Sequence, residues 1–343
     1  MPTTIDILKQ RAKIMQSIRD FFTSYDFLEV ETPYLVTSPG MEPHLNAFET
    51  TFIPEGFKGN PNSETSSASS QIRHLYLPTS PEFHMKRLLC QGHHRIFQLA
   101  RSFRNGETGD LHQPEFTMLE WYRANDTYES IMEDTEMLFY KVAINILGKP
   151  TVRRQDQIID LSPPWERLTV KEAWLKYTGI DLNTSYNADA LRTEGRELGV
   201  PHLLDDDPQD VLYFKIFLNL IEPKLGLKKP TILYEYPADM AALARLKPDD
   251  PSVALRFEVY AGGLELGNAF DELTDPDIQL QRCHEAQQIQ LQEGNKPFPI
   301  DHDFINALKS GMPRSAGIAV GVDRMIMLLL EKESIKDVVA FSW

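Results

Sequence analysis

Apolar residues recur at helical spacing along several stretches of the chain. Over residues 5–25 they form one stripe with charged residues between them, which predicts an amphipathic helix; the stripe consists of Ile7, Ile14, Ile18, Phe21 and Tyr25. The same period predicts helices over residues 128–147, 168–179, 206–226 and 275–294. Two shorter helices are expected as well. One has Ser80 as its N-cap and Pro81 at its first position, and the other follows the glycine-bounded stretch 316–322.

Short stretches rich in β-branched and aromatic residues separate these helices and are typical of strands. They lie at residues 27–36, 73–77, 94–103, 115–123, 230–237, 254–263, 264–270 and 316–322. Because several follow one another as hairpins, the pattern predicts an α+β fold with a mostly antiparallel sheet flanked by helices. We expect one domain over residues 1–343, with a flexible loop at the Gly-, Pro-, Asn- and Ser-rich segment 54–71.

The composition is typical of a soluble globular protein, with 42% hydrophobic and 25% charged residues. No apolar run reaches the roughly 20 residues of a membrane-spanning helix, and the first residues show no signal-peptide pattern, so we expect a cytoplasmic protein without membrane association. With only Cys90 and Cys283, a cysteine-based zinc site and a disulfide framework are excluded. The net charge of −15 makes nucleic-acid binding less expected, because such proteins usually present a basic face.

The strand at residues 115–123 carries polar side chains among large apolar ones. Alternation places Phe116, Met118, Glu120 and Tyr122 on one face, and Glu115, Thr117, Leu119 and Trp121 on the other. Both faces should therefore be covered, and a buried Glu120 is costly unless it meets a cation. That cation is either a basic side chain of the core or a ligand. The hydroxyl of Tyr122 beside Glu120 favours a socket for the ammonium group of a ligand.

Arg104 and Phe116 are separated by an eleven-residue loop, which is long for a hairpin. Gly106 and Gly109 would let its backbone approach a ligand closely. An arginine can donate two parallel hydrogen bonds to phosphate or carboxylate oxygens, and an aromatic ring can stack on a nucleobase. Arg104 is either a solvent-exposed loop residue or part of a phosphate site, and its spacing from Phe116 favours the phosphate site.

A turn is predicted at residues 261–263, and it would bring Glu258 and Glu265 together. Two carboxylates at close range repel each other unless a cation lies between them, and Mg²⁺ is typically held by one or two carboxylates plus substrate phosphates. The alternative is two solvated glutamates on one hairpin. Asn268 and Glu272 follow on the second strand and add an amide and another acid.

Arg324 lies at the start of the last helix, where its charge opposes the helix dipole at a cost of roughly 0.3–1 kcal/mol. A phosphate at this position would satisfy both the arginine and the free N–H groups; the alternative is an exposed arginine beside Asp323. Together these features predict that the protein activates an amine-bearing acid. They are the two arginines, the paired acids, the aromatic ring and the ammonium socket. Its carboxylate would attack the α-phosphate of ATP and release pyrophosphate, with Mg²⁺ on the phosphates.

Three segments of the chain resemble the three motifs of class II aminoacyl-tRNA synthetases of the lysyl branch. They are FLEVETPYL (27–35), RSFRNGETGDLHQPEFTMLEWY (101–122) and AGIAVGVDRM (316–325). The resemblance covers nearly the whole chain apart from the 54–71 loop and parts of 150–230. Within this class, the stretches TSPEFHMKRLL, FQLARSFRN and PEFTMLEWYR are most similar to the family of elongation factor P (R)-β-lysine ligases.

This resemblance implies a catalytic domain with a six- or seven-stranded antiparallel sheet, and a homodimer with the motif 1 proline at its interface. It implies activation of (R)-β-lysine, or of lysine, with ATP and Mg²⁺, and transfer to a lysine of elongation factor P. Arg104 and Arg324 would be the catalytic residues that bind the ATP phosphates. Other ATP contacts would be Asn105, Gly106, Glu107, His112, Gln113, Phe116 stacked on adenine, Glu265, Leu266 and Gly321.

The same resemblance assigns the metal and the amino acid. Glu258 and Glu265 would hold Mg²⁺. The substrate-binding residues would be Ser80, Pro81, Glu82, Glu120, Tyr122, Asn268, Glu272 and Ala319. Of these, Glu120, Tyr122 and Glu272 would take the side-chain ammonium. Glu82 would take the amine near the carboxylate, and Asn268 the carboxylate itself.

The chain also departs from the lysyl-tRNA synthetases. Motif 1 begins so near the start that no anticodon-binding OB domain precedes it, which together with the acidic charge argues against tRNA as the acceptor. Ser80 and Ala319 stand where the synthetases usually have alanine and glycine, and a β-amino acid would require such a reshaped pocket. Gly106 replaces a glutamate and Gln113 an asparagine where adenine is read. The alternatives are a minimal lysyl-tRNA synthetase using tRNA or another small acceptor, and a non-catalytic lysine-sensing paralogue.

Overall fold

The computed structural model describes residues 5–55 and 72–343, so most of the predicted flexible loop at 54–71 lies outside the described residues. The fold is α+β. Within the described residues there are ten α-helices: α1 (Ile5–Ser24), α2 (Glu82–Cys90), α3 (Tyr128–Leu147), α4 (Val170–Thr178), α5 (Leu182–Ser185), α6 (Ala188–Glu197), α7 (Gln209–Ile216), α8 (Pro276–Gln292), α9 (His302–Gly311) and α10 (Val322–Leu329).

The same part of the chain contains thirteen strands. They are β1 (Leu28–Glu29), β2 (Glu49–Phe52), β3 (Arg73–Tyr76), β4 (Arg95–Phe103), β5 (Glu115–Ala124), β6 (Thr151–Arg154), β7 (Gln157–Asp160), β8 (Glu166–Thr169), β9 (Thr231–Pro237), β10 (Leu246–Lys247), β11 (Asp250–Ala261), β12 (Leu264–Asp271) and β13 (Ser315–Gly321). Two pairs, β2–β3 and β6–β7, form separate two-stranded sheets.

One nine-stranded sheet organises the molecule, in the order β1-β4-β5-β13-β12-β11-β9-β8, with β10 paired to β11. The predicted mostly antiparallel sheet is confirmed, but the expected count of six or seven strands is wrong, since the sheet has nine. The edge strands β1 and β8 each pair in parallel, with β4 and β9 respectively. A parallel neighbour needs a crossover connection, and helices supply it here, since α2 lies between β1 and β4 and α4 to α7 lie between β8 and β9.

Helices cover both faces of this sheet, as the alternation in β5 predicts. On one face, Leu119 and Trp121 of β5 belong to a large core that includes residues of α1, α3 and α10. On the other face, Tyr122 packs in a smaller core with α2 and α9, whose rings Phe83 and Phe304 stack with centroids 4.5 Å apart. The strand is therefore buried on both sides, and a polar side chain on it must be satisfied inside the molecule.

A third core fills the space between α4, α6 and α7 and one end of the sheet. Its centre is the contact between Trp174 of α4 and Tyr213 of α7, with ring centroids 4.7 Å apart. Tyr236 of β9 and Tyr260 of β11 belong to the same core. This packing fixes both phenol rings, whose hydroxyls reach Glu258 in the site described below.

The predicted helices agree with the structure where the periodicity is long and uninterrupted. α3 matches the prediction at both ends and stops at Gly148, which adopts a left-handed conformation with φ 70°. The single helix predicted over 206–226 is wrong. α7 ends at Ile216, and a π-helical turn (Phe217–Ile221) and a 3-10 turn (Glu222–Lys224) follow; Pro223, which has no N–H to donate, lies in the last of these turns.

Two further boundaries differ from the predictions. The strand predicted over 27–36 is limited to β1, because the chain then leaves the sheet, and Val36 pairs as an isolated bridge with Tyr76. The N-terminus of α2 is shifted by one residue, since Pro81 is the N-cap and the helix begins at Glu82. Pro81 has no side-chain oxygen to accept a hydrogen bond from the first turn, and the hydroxyl of Ser80 accepts instead from the N–H of Glu82, at 3.4 Å.

Within residues 5–55 and 72–343, none of the helices has the length and apolar character needed to cross a membrane. Both cysteines are free thiols: Cys283 is buried and Cys90 is half-buried.

Candidate active site

A cavity of about 360 Å³ lies against β5, β11, β12 and β13. It brings together most of the residues predicted from the sequence. The predicted site residues that line it are Ser80, Glu82, Arg104, Glu107, His112, Gln113, Phe116, Glu120, Glu258, Glu265, Leu266, Asn268, Ala319, Gly321 and Arg324.

Five predicted site residues do not line this cavity. Pro81 is the N-cap of α2. Tyr122 and Glu272 are buried: Tyr122 contacts Glu120, which lines the cavity, and Glu272 contacts Lys86. Asn105 and Gly106 line a neighbouring surface pocket instead. The predicted roles of Asn105 and Gly106 in ATP binding remain predictions.

At one end of the cavity, Glu120 is almost fully buried and accepts a hydrogen bond from the hydroxyl of Tyr122, at 3.0 Å. Within the described residues, no basic side chain forms an ion pair with Glu120, so the alternative of a core salt bridge is not what the structure shows. Burial, together with the charge of Glu82, raises the pKa of Glu120 well above its usual value. A cationic ligand at this position would therefore stabilise the ionised carboxylate of Glu120.

The position of Tyr122 depends on Gly317 of the adjacent strand β13. The two residues are direct partners in the sheet register. A Cβ on Gly317 would lie 2.2 Å from the Tyr122 ring, so only glycine leaves room for the phenol in this position. Of the two glycines of β13, Gly317 and Gly321, the first thus has a steric explanation.

Lys86 is a central residue of the site that the sequence reasoning missed. Its side chain is fully buried, and its Nζ lies 2.5 Å from one carboxylate oxygen of Glu82 and 2.5 Å from one of Glu272. Although burial alone would lower the pKa of Lys86, the two carboxylates outweigh burial and raise it. The spacing of Glu82 and Lys86, four residues apart at the start of a helix, was a signal in the sequence that they contact each other.

Two buried polar side chains in this region have atoms without a hydrogen-bond partner among the described residues. Glu272 is buried, and its Oε1 accepts no hydrogen bond. Burial raises the pKa of Glu272 to about 8, although the charge of Lys86 acts in the opposite direction. The amide of Gln98, which lies opposite Glu120 in the register of β4 and β5, is also buried without a partner. Unsatisfied buried acceptors beside a cavity are suited to a ligand that brings N–H donors.

At the other end of the cavity, Arg324 is held by three acceptors. It donates to the backbone oxygens of Leu111, at 3.3 Å, and Glu265, at 2.9 Å, and its Nη2 lies 2.6 Å from Nε2 of His112. Burial and the charge of Arg324 lower the pKa of His112, so its ring is neutral and accepts from the arginine. The alternative of an exposed arginine beside Asp323 is wrong, because the side chain of Arg324 is only 19% exposed and Asp323 binds Arg11 at 2.6 Å.

Arg104 and Phe116 lie together, as their predicted roles require. The guanidinium carbon of Arg104 is 5.2 Å from the centre of the Phe116 ring, within the range of a cation–π contact. Its nearest acid is Glu107, at 3.7 Å. The Nε of Arg104 is buried and has no hydrogen-bond partner among the described residues. Arg104 therefore has a free N–H donor next to the cavity, and a phosphate or carboxylate oxygen of a ligand could accept its hydrogen bond.

The hairpin of β11 and β12 brings Glu258 and Glu265 to the same cavity, as predicted, with the turn at Gly262 and Gly263. Glu258 is strongly held. It accepts hydrogen bonds from the hydroxyls of Tyr236 and Tyr260 on one oxygen, and from Arg256 at 2.6 Å on the other. The alternative of two solvated glutamates is therefore wrong for Glu258, which is a buried and ordered carboxylate.

Glu265 is the freer of the two acids. Burial and the charge of Glu258 raise its pKa, although Arg324 and Arg104 oppose this shift. A third acid nearby, Glu222, has its pKa raised to about 7 by burial and by the charges of Glu265 and Glu258. Among the described residues, no set of three or more His, Cys, Asp and Glu side chains is arranged to hold a metal alone. The acids present fit an ion that also takes oxygen ligands from substrate phosphates.

Comparison with known proteins identifies the family to which a chain with this site belongs. The model of class II tRNA synthetases specific for D, K and N matches residues 2–343. An elongation factor P–(R)-β-lysine ligase of Vibrio atlanticus is 39% identical over 98% of this chain and 96% of its own length. The chain belongs to this family of class II synthetase-like ligases. Proteins of the same name from Salmonella arizonae and Photobacterium profundum are 40% and 38% identical, again over 98% of this chain and over 94% and 96% of their own lengths.

Ser80 and Ala319, two of the positions at which the sequence departs from the synthetases, are both on the cavity wall of this ligase. Ala319 lies on the central strand β13, between Glu120 of β5 and Asn268 of β12 in the sheet register. Ser80 lies at the N-terminus of α2, next to Glu82. Both line the cavity at its acid-rich end, so both can affect how the backbone of an amino acid is seated.

Arg256 is another site residue of the ligase that the sequence reasoning missed. It donates to Asn268 at 3.0 Å and to Glu258 at 2.6 Å, and its guanidinium carbon lies 4.6 Å from the centre of the Tyr236 ring. Period two along β11 places Arg256 on the same face as Glu258, and this was the available signal. Because Arg256 occupies the oxygen of Asn268, the amide nitrogen of Asn268 remains for a ligand carboxylate.

Proposed function

We propose that this chain activates (R)-β-lysine, and lysine less efficiently, as an aminoacyl-adenylate and transfers the acyl group to a lysine ε-amine of elongation factor P. The observation that carries the proposal is that one cavity joins an acid-rich end to an arginine-rich end. The acceptor is inferred from the names of the relatives, which are elongation factor P ligases. A non-catalytic sensor would not require both ends.

The amino acid would bind with its side-chain ammonium at Glu120 and Tyr122, backed by the free oxygen of Glu272. Buried acids favour a cation at this point because the ammonium relieves their mutual repulsion. Glu82 would accept from the backbone amine, and the amide nitrogen of Asn268 would donate to the carboxylate. ATP would place its phosphates at Arg104 and Arg324 and its adenine against Phe116.

In the first step, a carboxylate oxygen of the amino acid attacks the α-phosphorus of ATP. The bond between this phosphorus and the oxygen bridging to the β-phosphate breaks, and pyrophosphate leaves with the electron pair. Arg104 and Arg324 orient the triphosphate and offset the charge that develops on it. Mg²⁺ held by Glu258 and Glu265 would neutralise phosphate charge in the same place.

In the second step, the unprotonated ε-amine of the acceptor lysine attacks the acyl carbon of the adenylate. An amide bond forms, the acyl–oxygen bond breaks, and AMP leaves with the electron pair while the amine loses a proton. The two steps together convert ATP, amino acid and acceptor into AMP, pyrophosphate and an acylated protein. This chemistry needs no covalent enzyme intermediate.

The proposal also covers the oligomeric state of the protein and the acceptor that it modifies. We propose a homodimer that forms through motif 1, and the half-exposed side chains of Leu28 and Leu35 in that motif support it, because both are apolar and unburied in the single chain. We further propose one catalytic domain, a cytoplasmic location, and elongation factor P rather than tRNA as acceptor. Light scattering in solution tests the dimer.

The experiment that tests the proposed function is amino-acid-dependent ATP–pyrophosphate exchange with (R)-β-lysine and L-lysine side by side. We expect faster exchange with the β isomer, and loss of the adenylate when purified elongation factor P is added. Exchange with L-lysine only, combined with charging of tRNA, would support the synthetase alternative. The absence of any exchange would support the sensor.

A further inference from the structure

Glu42 is a cavity residue for which neither the sequence motifs nor the proposed reaction provides a role. It lies in the loop between β1 and β2, and it lines the main cavity together with Ser80 and Glu82. The same three residues also line a small adjoining cavity, so they form one wall. This wall is at the end of α2, where the proposed function places the backbone amine of the amino acid.

The loop that carries Glu42 is fixed to the segment before α2. Thr79 donates from its backbone N–H, at 3.2 Å, and from its hydroxyl, at 2.9 Å, to the backbone oxygen of Pro39. Gly40 makes this close approach possible, because a Cβ there would lie 2.8 Å from the Thr79 hydroxyl oxygen and 3.7 Å from a carboxylate oxygen of Glu42. A carboxylate oxygen of Glu42 thus lies close to Gly40, and the side chain lines both cavities together with Ser80 and Glu82.

This carboxylate has no counterion of its own. Among the described residues, none forms an ion pair or a side-chain hydrogen bond with it. Burial raises the pKa of Glu42, Arg104 acts against this shift, and Glu82 adds to it. Glu82, by contrast, already accepts one hydrogen bond from Lys86. The wall therefore has carboxylate oxygens that accept no hydrogen bond from the described residues, and its negative charge is only partly neutralised by Lys86.

We propose that Glu42 is a specificity-determining residue that, together with Ser80 and Glu82, binds the backbone ammonium group of the amino acid. An ammonium group has three N–H donors, and the two carboxylates and the hydroxyl supply three acceptors on one wall. An amine on the β-carbon lies one bond farther from the carboxylate than an α-amine. A second acid beside Glu82 extends the acceptor wall so that it can meet an amine in the displaced position.

This inference rests on the proposed function, and its test uses three amino acids that differ only at the amine. (R)-β-Lysine and L-lysine carry a backbone amine, whereas 6-aminohexanoate keeps the carboxylate and the terminal ammonium but lacks it. The variant Glu42→Gln removes the charge with little change in size. KM in pyrophosphate exchange is measured for the two lysines, and the inhibition constant is measured for 6-aminohexanoate competing with (R)-β-lysine.

We expect Glu42→Gln to raise the KM for (R)-β-lysine by roughly 10- to 100-fold, since a charged hydrogen bond is lost. The KM for L-lysine should rise less, and the KM for ATP and the inhibition constant of 6-aminohexanoate should stay within about twofold. In Glu82→Gln as well, the inhibition constant of 6-aminohexanoate should stay within about twofold of its value in the unmodified protein. Glu133→Gln, on the exposed side of α3, is the matched control and should change none of these constants.

Two results would overturn the role of Glu42. An equal loss of affinity for 6-aminohexanoate and (R)-β-lysine would mean that Glu42 supports the fold of the wall and does not contact the amine. A change confined to the KM for ATP would place it with Arg104 instead. If the unmodified protein shows no amino-acid-dependent exchange, the proposed function itself fails, and this outcome is distinct from a normal exchange rate that Glu42→Gln leaves unchanged.

Discussion

Lys86 shows how a single residue can connect both proposed ends of the amino acid. It lies between Glu82, at the backbone amine, and Glu272, at the side-chain ammonium, with 2.5 Å to each carboxylate. Removing one partner of a buried ion pair is costly because the remaining charge is left without compensation. Lys86 is a positioning residue in this arrangement, since it orients both acids without a predicted contact to substrate.

We expect Lys86→Met to lower the free energy of unfolding by about 3–5 kcal/mol. It should also raise the KM for the amino acid more than the KM for ATP, because the released acids repel each other and take up protons. Chemical denaturation and pyrophosphate exchange measure the two effects. The double variant Lys86→Met, Glu272→Gln should recover part of the stability. Unchanged stability in the single variant would contradict the buried ion-pair network.

The contact between Gly317 and Tyr122 leads to a second prediction at this scale. In Gly317→Ala the new methyl group would lie 2.2 Å from the Tyr122 ring, so the ring must move and its hydroxyl loses Glu120. We expect the KM for the amino acid to rise at least about 10-fold, while the KM for ATP changes little. Tyr122→Phe is the comparison, since it removes the hydroxyl alone. An alanine variant with normal kinetics would show that Tyr122 is not part of the ammonium site.

Among the elements, the β11–β12 hairpin determines where the two proposed metal ligands meet. Its turn is fixed from outside, because the N–H groups of Gly262 and Gly263 donate to the backbone oxygens of Gly226 and Leu225, each at 2.9 Å. Gly226 has φ +71°, and a Cβ there would lie 2.5 Å from the backbone oxygen of Tyr260. Backbone atoms cannot move aside as a flexible side chain can.

Gly226→Ala should therefore destabilise the protein by more than the about 1–3 kcal/mol of a left-handed backbone alone. Gly199→Ala is a matched control, because Gly199 has φ +75° but a Cβ there would meet open space. Urea denaturation of both variants separates the clash from the backbone strain. If the two variants lose equal stability, the close approach at Tyr260 does not restrain the hairpin.

For the molecule as a whole, local patterns predicted more of the fold than of the site chemistry. The period of α3 and the alternation of β5 were sufficient to predict both elements, because each depends mainly on neighbouring residues. β1 and β8 were not predicted as edge strands, since parallel pairing depends on distant partners. Likewise Glu120 was recognised within its own strand, whereas Gln98 and Lys86 acquire their roles only when β4 and α2 pack beside β5.

The acid-rich end also links substrate binding to pH across the whole protein. Burial raises the pKa of Glu272 from 4.5 to about 8 against the opposing charge of Lys86, so in the ligand-free protein this carboxyl takes up a proton as pH falls below about 8 and pairs with Lys86 as a carboxylate above it. The folded state holds this proton more tightly than the unfolded state, so Glu272 makes the ligand-free protein lose stability as pH rises from about 4.5 to 8. A bound ammonium reverses this preference, because it favours the ionised carboxylate.

We therefore expect amino acid binding to release protons and the KM to fall as pH rises toward 8. The fall should be no steeper than about tenfold per pH unit, the limit for one proton. It should level off above about pH 8, and the KM should rise again where the substrate ammonium begins to deprotonate, near pH 10. Glu272→Gln should flatten the profile, because an amide does not titrate in this range. Calorimetry in buffers of different ionisation enthalpy counts the protons, and a pH-independent KM with no proton release would contradict a protonated acid at this site.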